Sequence, residues 1–169
     1  MKLKNKYQNK VDTKDMQNYE IKIKSDGTWF HKGEKIKRLE LIKLFSSVLH
    51  FKEDGHYWLI TPHESGIIEV EDAPFIIIDL NCLGSGKNLK CWFTNNIQEK
   101  FLLSSKYPLN IIFNEKNEPR PYIKLDRGLK ALISRPVFYN MVDLAIKGKN
   151  NNYGLWSDNQ FFPIGKYRN

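Results

Sequence analysis

Short apolar runs separated by turn residues predict a chain rich in β-strands. The central run is residues 75–80 (FIIIDL), which is bounded by Ala73-Pro74 and by the glycines that follow, and it predicts a strand buried on both faces. Residues 67–72 alternate apolar and acidic positions, as a strand with one solvated face does. Residues 89–94 alternate again, and the turn at 84–88 predicts that they fold back on the central strand as a hairpin.

Weaker patterns predict the remaining strands. Residues 19–24 alternate apolar and charged positions and predict an edge strand, and the two prolines of residues 114–121 predict a loop. The other predicted strands are residues 56–61, 99–103, 109–113, 122–125 and 129–133, and residues 153–157 and 161–164 close the chain as a hairpin around a turn at 157–159. Strands separated by turn signals at this spacing predict mostly antiparallel sheets.

Two stretches have helical periodicity instead. Apolar residues at i, i+3, i+4, i+7 and i+8 predict an amphipathic helix over residues 38–50: Leu41, Leu44, Phe45, Val48 and Leu49. The second helix begins after Ser134, a good N-cap, has Pro136 in its first turn and ends at Gly148, a good C′ residue. Its apolar face consists of Phe138, Met141, Val142 and Ala145.

The two helices share one template, in which an arginine precedes apolar residues at +3, +6, +7 and +10. The offset between Arg38 and Arg135 is 97 residues and holds throughout. It predicts a duplicated strand–helix–strand unit with a seam between the copies, although ordinary amphipathicity gives the same match. The segments SDGTWF at residue 25 and SDNQFF at residue 157 echo each other at a different offset, so only one echo can mark a duplication.

These elements predict an α+β fold with mostly antiparallel sheets and two main helices. The predicted organisation is a basic N-terminal arm (residues 1–18), an N-terminal lobe (19–80) and a C-terminal lobe (81–169). Arg38 and Arg135 each lie close to a helix N-terminus, where a cation is unfavourable by a few tenths of a kcal/mol. An anion should compensate: a carboxylate (Glu69, Glu71, Asp72 or Asp126), or a ligand phosphate.

Charge leaves two interpretations open. The net charge is +8, and residues 1–14 carry five lysines and one aspartate, which is half of that excess. A basic arm with exposed aromatics predicts nucleic-acid binding. The alternative is a solvated basic surface, because 22 lysines against 5 arginines can also reflect codon usage. No apolar run approaches the roughly 20 residues of a membrane span, and no signal-peptide core follows the N-terminal lysines, so we expect a cytoplasmic protein.

The sequence does not predict an enzyme. Gly84-Ser85-Gly86-Lys87 lacks the other residues of a phosphate-binding loop, and the four histidines lack metal-ligand spacing. No serine lies in a nucleophile elbow, so neither a cofactor nor a metal is expected. Cys82 and Cys91 lie symmetrically about the hairpin turn and could face each other; two reduced thiols are the expected state, with a redox pair as the alternative.

Several segments together resemble one bacterial family. They are SDGTWFHKGEKIKRLELIKLFSSVL, YWLITP, VEDAPF, FTN, RPVFY and LWSDNQFFPIG, which lie between residues 25 and 165. The family is labelled domain of unknown function 1285, and YWLITP and VEDAPF are the most specific parts of the resemblance. Asn159 stands where a glycine is expected in the last turn, and asparagine also tolerates the left-handed region.

The resemblance implies a duplicated core whose C-terminal half is similar to a pleckstrin-homology-like fold. It also implies a regulatory or signalling role and a small anionic, nucleotide-like ligand between the two halves. Arg38 and Arg135 would hold phosphate, Trp156 or Tyr122 would stack, and Thr94 and Asn95 would donate hydrogen bonds. The full set of residues that we expect at this seam is Trp29, Arg38, Thr94, Asn95, Arg120, Tyr122, Arg135 and Trp156.

Overall fold

The first half of the molecule is an open six-stranded sheet. In the computed structural model, which describes residues 17–166, its elements are β1 (Asn18–Ile23), β2 (Trp29–His31), β3 (Glu34–Lys35), α1 (Leu39–Ser47), β4 (Leu49–Phe51), β5 (Tyr57–Ile60) and β6 (Ser65–Val70). The strand order is β3-β2-β1-β6-β5-β4, antiparallel except for the parallel pair β1 and β6. The predicted edge position of residues 19–24 is wrong, because β1 pairs on both sides and lies in the middle of the sheet.

The second half begins with a sheet of the same design and ends with a helix and a small meander. Its elements are β7 (Phe75–Leu83), β8 (Lys90–Asn95), β9 (Lys100–Leu102), β10 (Leu109–Phe113), β11 (Pro119–Lys124), β12 (Lys130–Ile133), α2 (Arg135–Asp143), β13 (Ile146–Lys147), β14 (Asn152–Ser157) and β15 (Gln160–Lys166). The sheet order is β10-β11-β12-β7-β8-β9, and β12 runs parallel to β7. Strands β13, β14 and β15 form a separate antiparallel sheet.

The predicted duplication is confirmed, as two similar six-stranded halves. Each sheet consists of two three-stranded meanders whose first and last strands lie side by side and parallel. The repeated unit nevertheless differs from the predicted strand–helix–strand unit. Helix α1 connects the third and fourth strands of its sheet, whereas α2 follows the sixth strand of its own. The shared helix template therefore compares helices at different places, and ordinary amphipathicity explains it.

Burial corrects two details of the predicted elements. Strand β7 is buried on one face only, because Phe75 and Ile77 are buried whereas Ile78 is 55% exposed. Helix α1 leaves Leu41 and Leu44 exposed and turns a neighbouring stripe inward, which includes Phe45 stacked on Trp29 with ring centroids 6.4 Å apart. Its sequence, LELIKLFSS, has apolar residues around much of the helix, so periodicity alone does not select the buried stripe.

Two predicted boundaries are also wrong. Helix α2 has its N-cap at Ser134 as predicted, but its C-cap is Leu144, and Gly148 lies beyond it because β13 pairs with β14 there. Residues 119–121 of the predicted loop belong to β11. Both prolines are tolerated because β12 pairs only with residues 122–124 of that strand.

The β7–β8 hairpin forms as predicted, with Cys82 and Cys91 directly opposite each other. Their Cα atoms are 4.2 Å apart and the structure joins the two sulfurs in a disulfide, so the expectation of two reduced thiols is wrong. The backbone N–H and carbonyl of Cys91 bond to Ser157 and Leu103, so Cys82 and Cys91 form a non-hydrogen-bonded pair, the kind in which opposed side chains lie closest. None of the helices in residues 17–166 is long and apolar enough to cross a membrane.

Candidate functional site

A polar cluster lies where the chain passes from the first sheet to the second. Asp72 stands in the short link between β6 and β7, and its side chain is 17% exposed. The Tyr122 hydroxyl donates to Oδ1 of Asp72 at 2.9 Å, the Arg120 guanidinium donates to Oδ2, and Lys130 Nζ lies 3.4 Å from Oδ1. The Nε of Arg120 also donates to the Tyr122 hydroxyl at 3.1 Å. One carboxylate thus organises three side chains of the second sheet.

Strand register explains why these side chains meet. Arg120 and Tyr122 are two residues apart on β11 and therefore project from the same face. Tyr122 is paired with Leu132 of β12, and Lys130 lies two residues before Leu132, so it joins the same face. The Lys130 ammonium lies over the Tyr122 ring, 4.4 Å from its centroid.

The surroundings shift the pKa values of this cluster in opposite directions. Burial alone raises the pKa of Asp72, but hydrogen bonds from Tyr122 and Arg120 and the charges of Lys130 and Arg120 outweigh it, so the pKa falls below its ordinary value. Burial, followed by the charge of Asp72, raises the pKa of Tyr57 on β5 to about 12. Asp72 is therefore a carboxylate near neutral pH, and the tyrosines keep their protons.

A cavity of about 270 Å³, which we call the seam pocket, adjoins the cluster. Its lining consists of Asn110, Ile112, Tyr122, Lys124, Leu125, Gly128, Leu129 and Lys130. Lys124 and Lys130 are direct cross-strand partners, and both line the pocket. Like charges placed directly opposite each other are unfavourable in a sheet.

The positive charge around the seam pocket exceeds the negative charge. Arg120 and Lys130 contact one carboxylate, Asp72, which accepts hydrogen bonds from Arg120, Tyr122 and Lys130, and Lys124 on the pocket wall adds a further positive charge. Lys124 is exposed and forms no ion pair with the residues that the structure describes. An anion in the pocket would relieve the repulsion between the two lysines.

The seam pocket also lies beside contacts between the two halves. Gly128, which lines it, has φ +71° and passes so close to the first half that an added Cβ would lie 2.7 Å from the carbonyl oxygen of Phe51. The neighbouring Arg127 guanidinium donates to the carbonyl oxygen of Ser47. The pocket is therefore at the junction, although its lining comes from the second sheet.

The structure brings some of the predicted site residues together. Arg120 and Tyr122 meet at Asp72, and Tyr122 lines the seam pocket. Arg120 and Arg135 line a separate cavity of about 140 Å³ at the start of α2. Arg38 is exposed immediately before α1, and lies outside both linings. The predicted pairing of Arg38 with Arg135 thus has no counterpart in these two cavities.

Four other predicted residues lie apart from the seam pocket. Trp29 is fully buried in the core, and no hydrogen-bond acceptor among the described residues meets its indole N–H. Asn95 is fully buried, and its Oδ1 accepts from the backbone N–H groups of residues 97 and 99, so it shapes a turn. Thr94 lies on the outer face of β8, and Trp156 packs edge-on against Phe161.

The main residues that the sequence did not place at the site are Lys124, Lys130 and Tyr57. Asp72 was among the candidate partners for an arginine, but the arginine it holds is Arg120. The two lysines carried a usable signal, because they flank a short turn between two predicted strands and should therefore face each other. Tyr57 could not be found in this way, since its approach to Asp72 depends on how the halves pack.

A further cavity, of about 880 Å³, lies between β10, α2 and the C-terminal sheet. Aromatic and aliphatic side chains dominate its lining, among them Phe113, Phe138 and Ile164, and Lys166 is the charged residue in it. Residues 1–16, which make up most of the predicted basic arm, lie outside the described residues.

Comparison with known proteins agrees with this architecture. The family model described as "Domain of unknown function (DUF1285), N-terminal domain" matches residues 9–73, and "Protein of unknown function (DUF1285), C-terminal domain" matches residues 74–164. No curated protein matches the chain significantly.

Two solved structures are similar to the chain. A DUF1285 family protein from Silicibacter pomeroyi DSS-3 is 35% identical, with a TM-score of 0.81 over 88% of this chain and 81% of that one. A DUF1285 family protein from Shewanella baltica OS155 is 28% identical, with a TM-score of 0.57 over 73% of this chain and 91% of that one.

Proposed function

The chain belongs to the DUF1285 family, and we propose that it is a regulatory module that binds a small anionic, nucleotide-like ligand in the seam pocket. The observation that carries this proposal is the direct pairing of Lys124 with Lys130 at the wall of a cavity. A like-charged pair in that position is unfavourable on its own, and a phosphate group between the two ammonium groups would turn the repulsion into attraction.

The polar side chains in the pocket and beside it have distinct parts in this proposal. Lys124 and Lys130 contact the anion, and the Asn110 side chain can donate a hydrogen bond to an oxygen of the ligand. Asp72 and Arg120 are positioning residues: Asp72 holds Tyr122 and Lys130 at the pocket wall, and Arg120 bonds to both Asp72 and Tyr122. The volume of about 270 Å³ suits a phosphate with a small attached group, so the rest of a nucleotide would lie outside the pocket.

A ligand in this pocket can act on the molecule as a whole. The pocket adjoins the contacts that Gly128 and Arg127 make with the first half. A ligand that binds only when the halves are docked stabilises that arrangement, by about 2.7 kcal/mol at 100 times its dissociation constant. This coupling between occupancy and domain arrangement is the basis of the proposed signalling role.

The test is a thermal-shift screen with phosphate, pyrophosphate and nucleoside mono-, di- and triphosphates at constant ionic strength. We expect at least one of them to raise the melting temperature of the wild-type protein, and we expect Lys124→Ala to abolish that rise. Lys149→Ala, which removes an exposed lysine outside the pocket, is the matched control and should keep it. The proposal fails if no anion shifts the wild type, or if Lys124→Ala and Lys149→Ala respond equally.

Residues 1–14 carry half of the net charge, which is the basis for the alternative prediction that the basic arm binds nucleic acid. This alternative stays a prediction. Its signature is an affinity that falls steeply with salt and disappears when those residues are deleted. Affinity for nucleic acid that survives both changes would contradict it. The expected cytoplasmic location also stays a prediction.

A further inference from the structure

The outer face of strands β7, β8 and β9 carries a compact group of side chains that the seam pocket does not involve. Strand pairing arranges them in two rows across the sheet. The first row is Asp79, Thr94 and Lys100, and the second row is Asn81, Trp92 and Leu102. Together with Leu83 on β7, we call this group the Trp92 face. It borders a shallow cavity of about 350 Å³ lined by six of these seven residues.

The Trp92 face is not needed to build the core. On β8 the inward residues Cys91, Phe93 and Asn95 are fully buried, and Trp92 projects from the opposite side and is 37% exposed. A register shift in β7 between Ile77 and Asp79 brings Asp79 opposite Thr94. Bulges re-aim side chains and are over-represented at sheet edges and next to active sites.

The polar side chains of the Trp92 face have free hydrogen-bonding groups within the described residues. Asp79, Asn81, Thr94 and Lys100 form no side-chain hydrogen bond or ion pair within residues 17–166. They offer carboxylate and amide oxygens as acceptors, and ammonium, amide and hydroxyl groups as donors. Hydrogen-bonding groups of both kinds therefore surround an exposed indole ring.

We propose that the Trp92 face binds a pyranose saccharide. The indole ring packs against the C–H face of the sugar ring, and the four polar side chains exchange hydrogen bonds with its hydroxyl groups. The cavity lining contains one carboxylate, Asp79, and one ammonium, Lys100, whereas Lys90, opposite Leu83, lies outside it. The lining therefore has no net charge, which favours an uncharged ligand rich in hydroxyls over a phosphate. A volume of about 350 Å³ is in the range of small-molecule sites.

The experiment follows the indole N–H resonance of Trp92 by NMR. That resonance is assigned among the four tryptophans by its loss in Trp92→Phe. The probes are glucose, galactose, mannose and N-acetylglucosamine, together with maltose, cellobiose and chitobiose, each up to 50 mM. We expect at least one of these sugars to shift the resonance saturably.

Matched variants separate binding from folding. Trp92→Ala should weaken binding at least tenfold, as measured by calorimetry, and Asp79→Asn should weaken it severalfold. Tyr139→Ala removes another exposed aromatic ring, on α2, and should leave binding unchanged. Thermal denaturation checks that each variant is folded. The proposal is overturned if none of the sugars shifts the resonance, if inorganic phosphate shifts it instead, or if Trp92→Ala and Tyr139→Ala bind equally well.

Discussion

Replacing Asp72 by Asn tests whether one carboxylate holds the junction together. The change keeps the size of the side chain but removes the charge that accepts hydrogen bonds from Arg120, Tyr122 and Lys130. The amide can satisfy only part of this donor set, and it leaves two cations without a counter-charge. We therefore expect a folded but less stable protein.

The exposure of the partners sets the size of the effect. Breaking a buried, hydrogen-bonded ion pair costs roughly 3–5 kcal/mol, whereas an exposed pair contributes about 0–1 kcal/mol. Asp72 is 17% exposed, but the side chains of Arg120 and Lys130 are 40% and 36% exposed, so the loss lies between the two limits. About 2 kcal/mol corresponds to a fall of roughly 4–8 °C in the melting temperature of a protein of this length.

The dependence on pH separates charge from shape. The pKa of Asp72 is lower in the folded state than in the unfolded chain, where an aspartate titrates near 3.9. Its charge therefore stabilises the fold fully above about pH 5, and this stabilisation is lost as the pH falls below about 4 toward the folded-state pKa. The stability difference between wild type and Asp72→Asn should narrow over that interval.

The assay is urea unfolding followed by fluorescence between pH 3 and pH 7. Asp79→Asn, which removes an exposed carboxylate that has no side-chain partner among residues 17–166, is the matched control and should leave stability nearly unchanged at every pH. Equal stability of Asp72→Asn and wild type at pH 7 would refute the reasoning. A difference that persists undiminished at pH 3 would show that the charge of Asp72 is not its cause.

Three further changes test other parts of the structure. Asn96→Ala removes an acceptor for the Ile76 N–H (3.0 Å) and a donor to the Gly27 carbonyl (3.2 Å). The loss should lower the free energy of unfolding in urea by about 1–3 kcal/mol. An unchanged midpoint would contradict a stabilising contact between Asn96 and the first half. Ser157→Ala leaves the buried Cys91 N–H without its acceptor at 3.0 Å and should also cost about 1–3 kcal/mol in urea unfolding. Ser105→Ala, at an exposed position, is the control and should change stability by less than about 0.5 kcal/mol. Equal effects of the two substitutions would argue that the hydrogen bond to Cys91 does not stabilise the fold. Tyr57→Phe should remove the tyrosine that ionises near pH 12 in an absorbance titration. Because the pKa of Tyr57 is raised on folding, its contribution to stability is complete below about pH 10 and is lost as the pH rises toward 12. A titration curve that the substitution leaves unaltered would contradict the assignment.

Local patterns predicted much of the fold. Alternation and turn residues placed most strands, including β10 at residues 109–113 and the opposed cysteines of the β7–β8 hairpin. Ser134 marked the start of α2. These features depend on a few neighbouring residues, so a single sequence contains the information. The end of α2 could not be predicted in this way, because it depends on β13, which pairs with a strand farther along the chain.

Features that depend on packing between distant segments could not be predicted. The central position of β1 results from its parallel pairing with β6, more than 40 residues later. The sequence of α1 has more than one apolar face, and the face that is buried is the one whose Phe45 packs on Trp29. At the candidate site, Arg120 and Tyr122 were predicted individually, whereas their meeting at Asp72 requires the strand order of the second sheet.

The most direct test of the proposed ligand site is a crystal soaked with tungstate, a heavy-atom mimic of phosphate. The anomalous difference map locates the bound anion without reference to any model of the ligand. The proposal predicts a peak in the seam pocket within ion-pair distance of both Lys124 and Lys130, and no such peak in crystals of Lys124→Ala. Tungstate bound elsewhere, for example beside Arg135, with an empty seam pocket would contradict it.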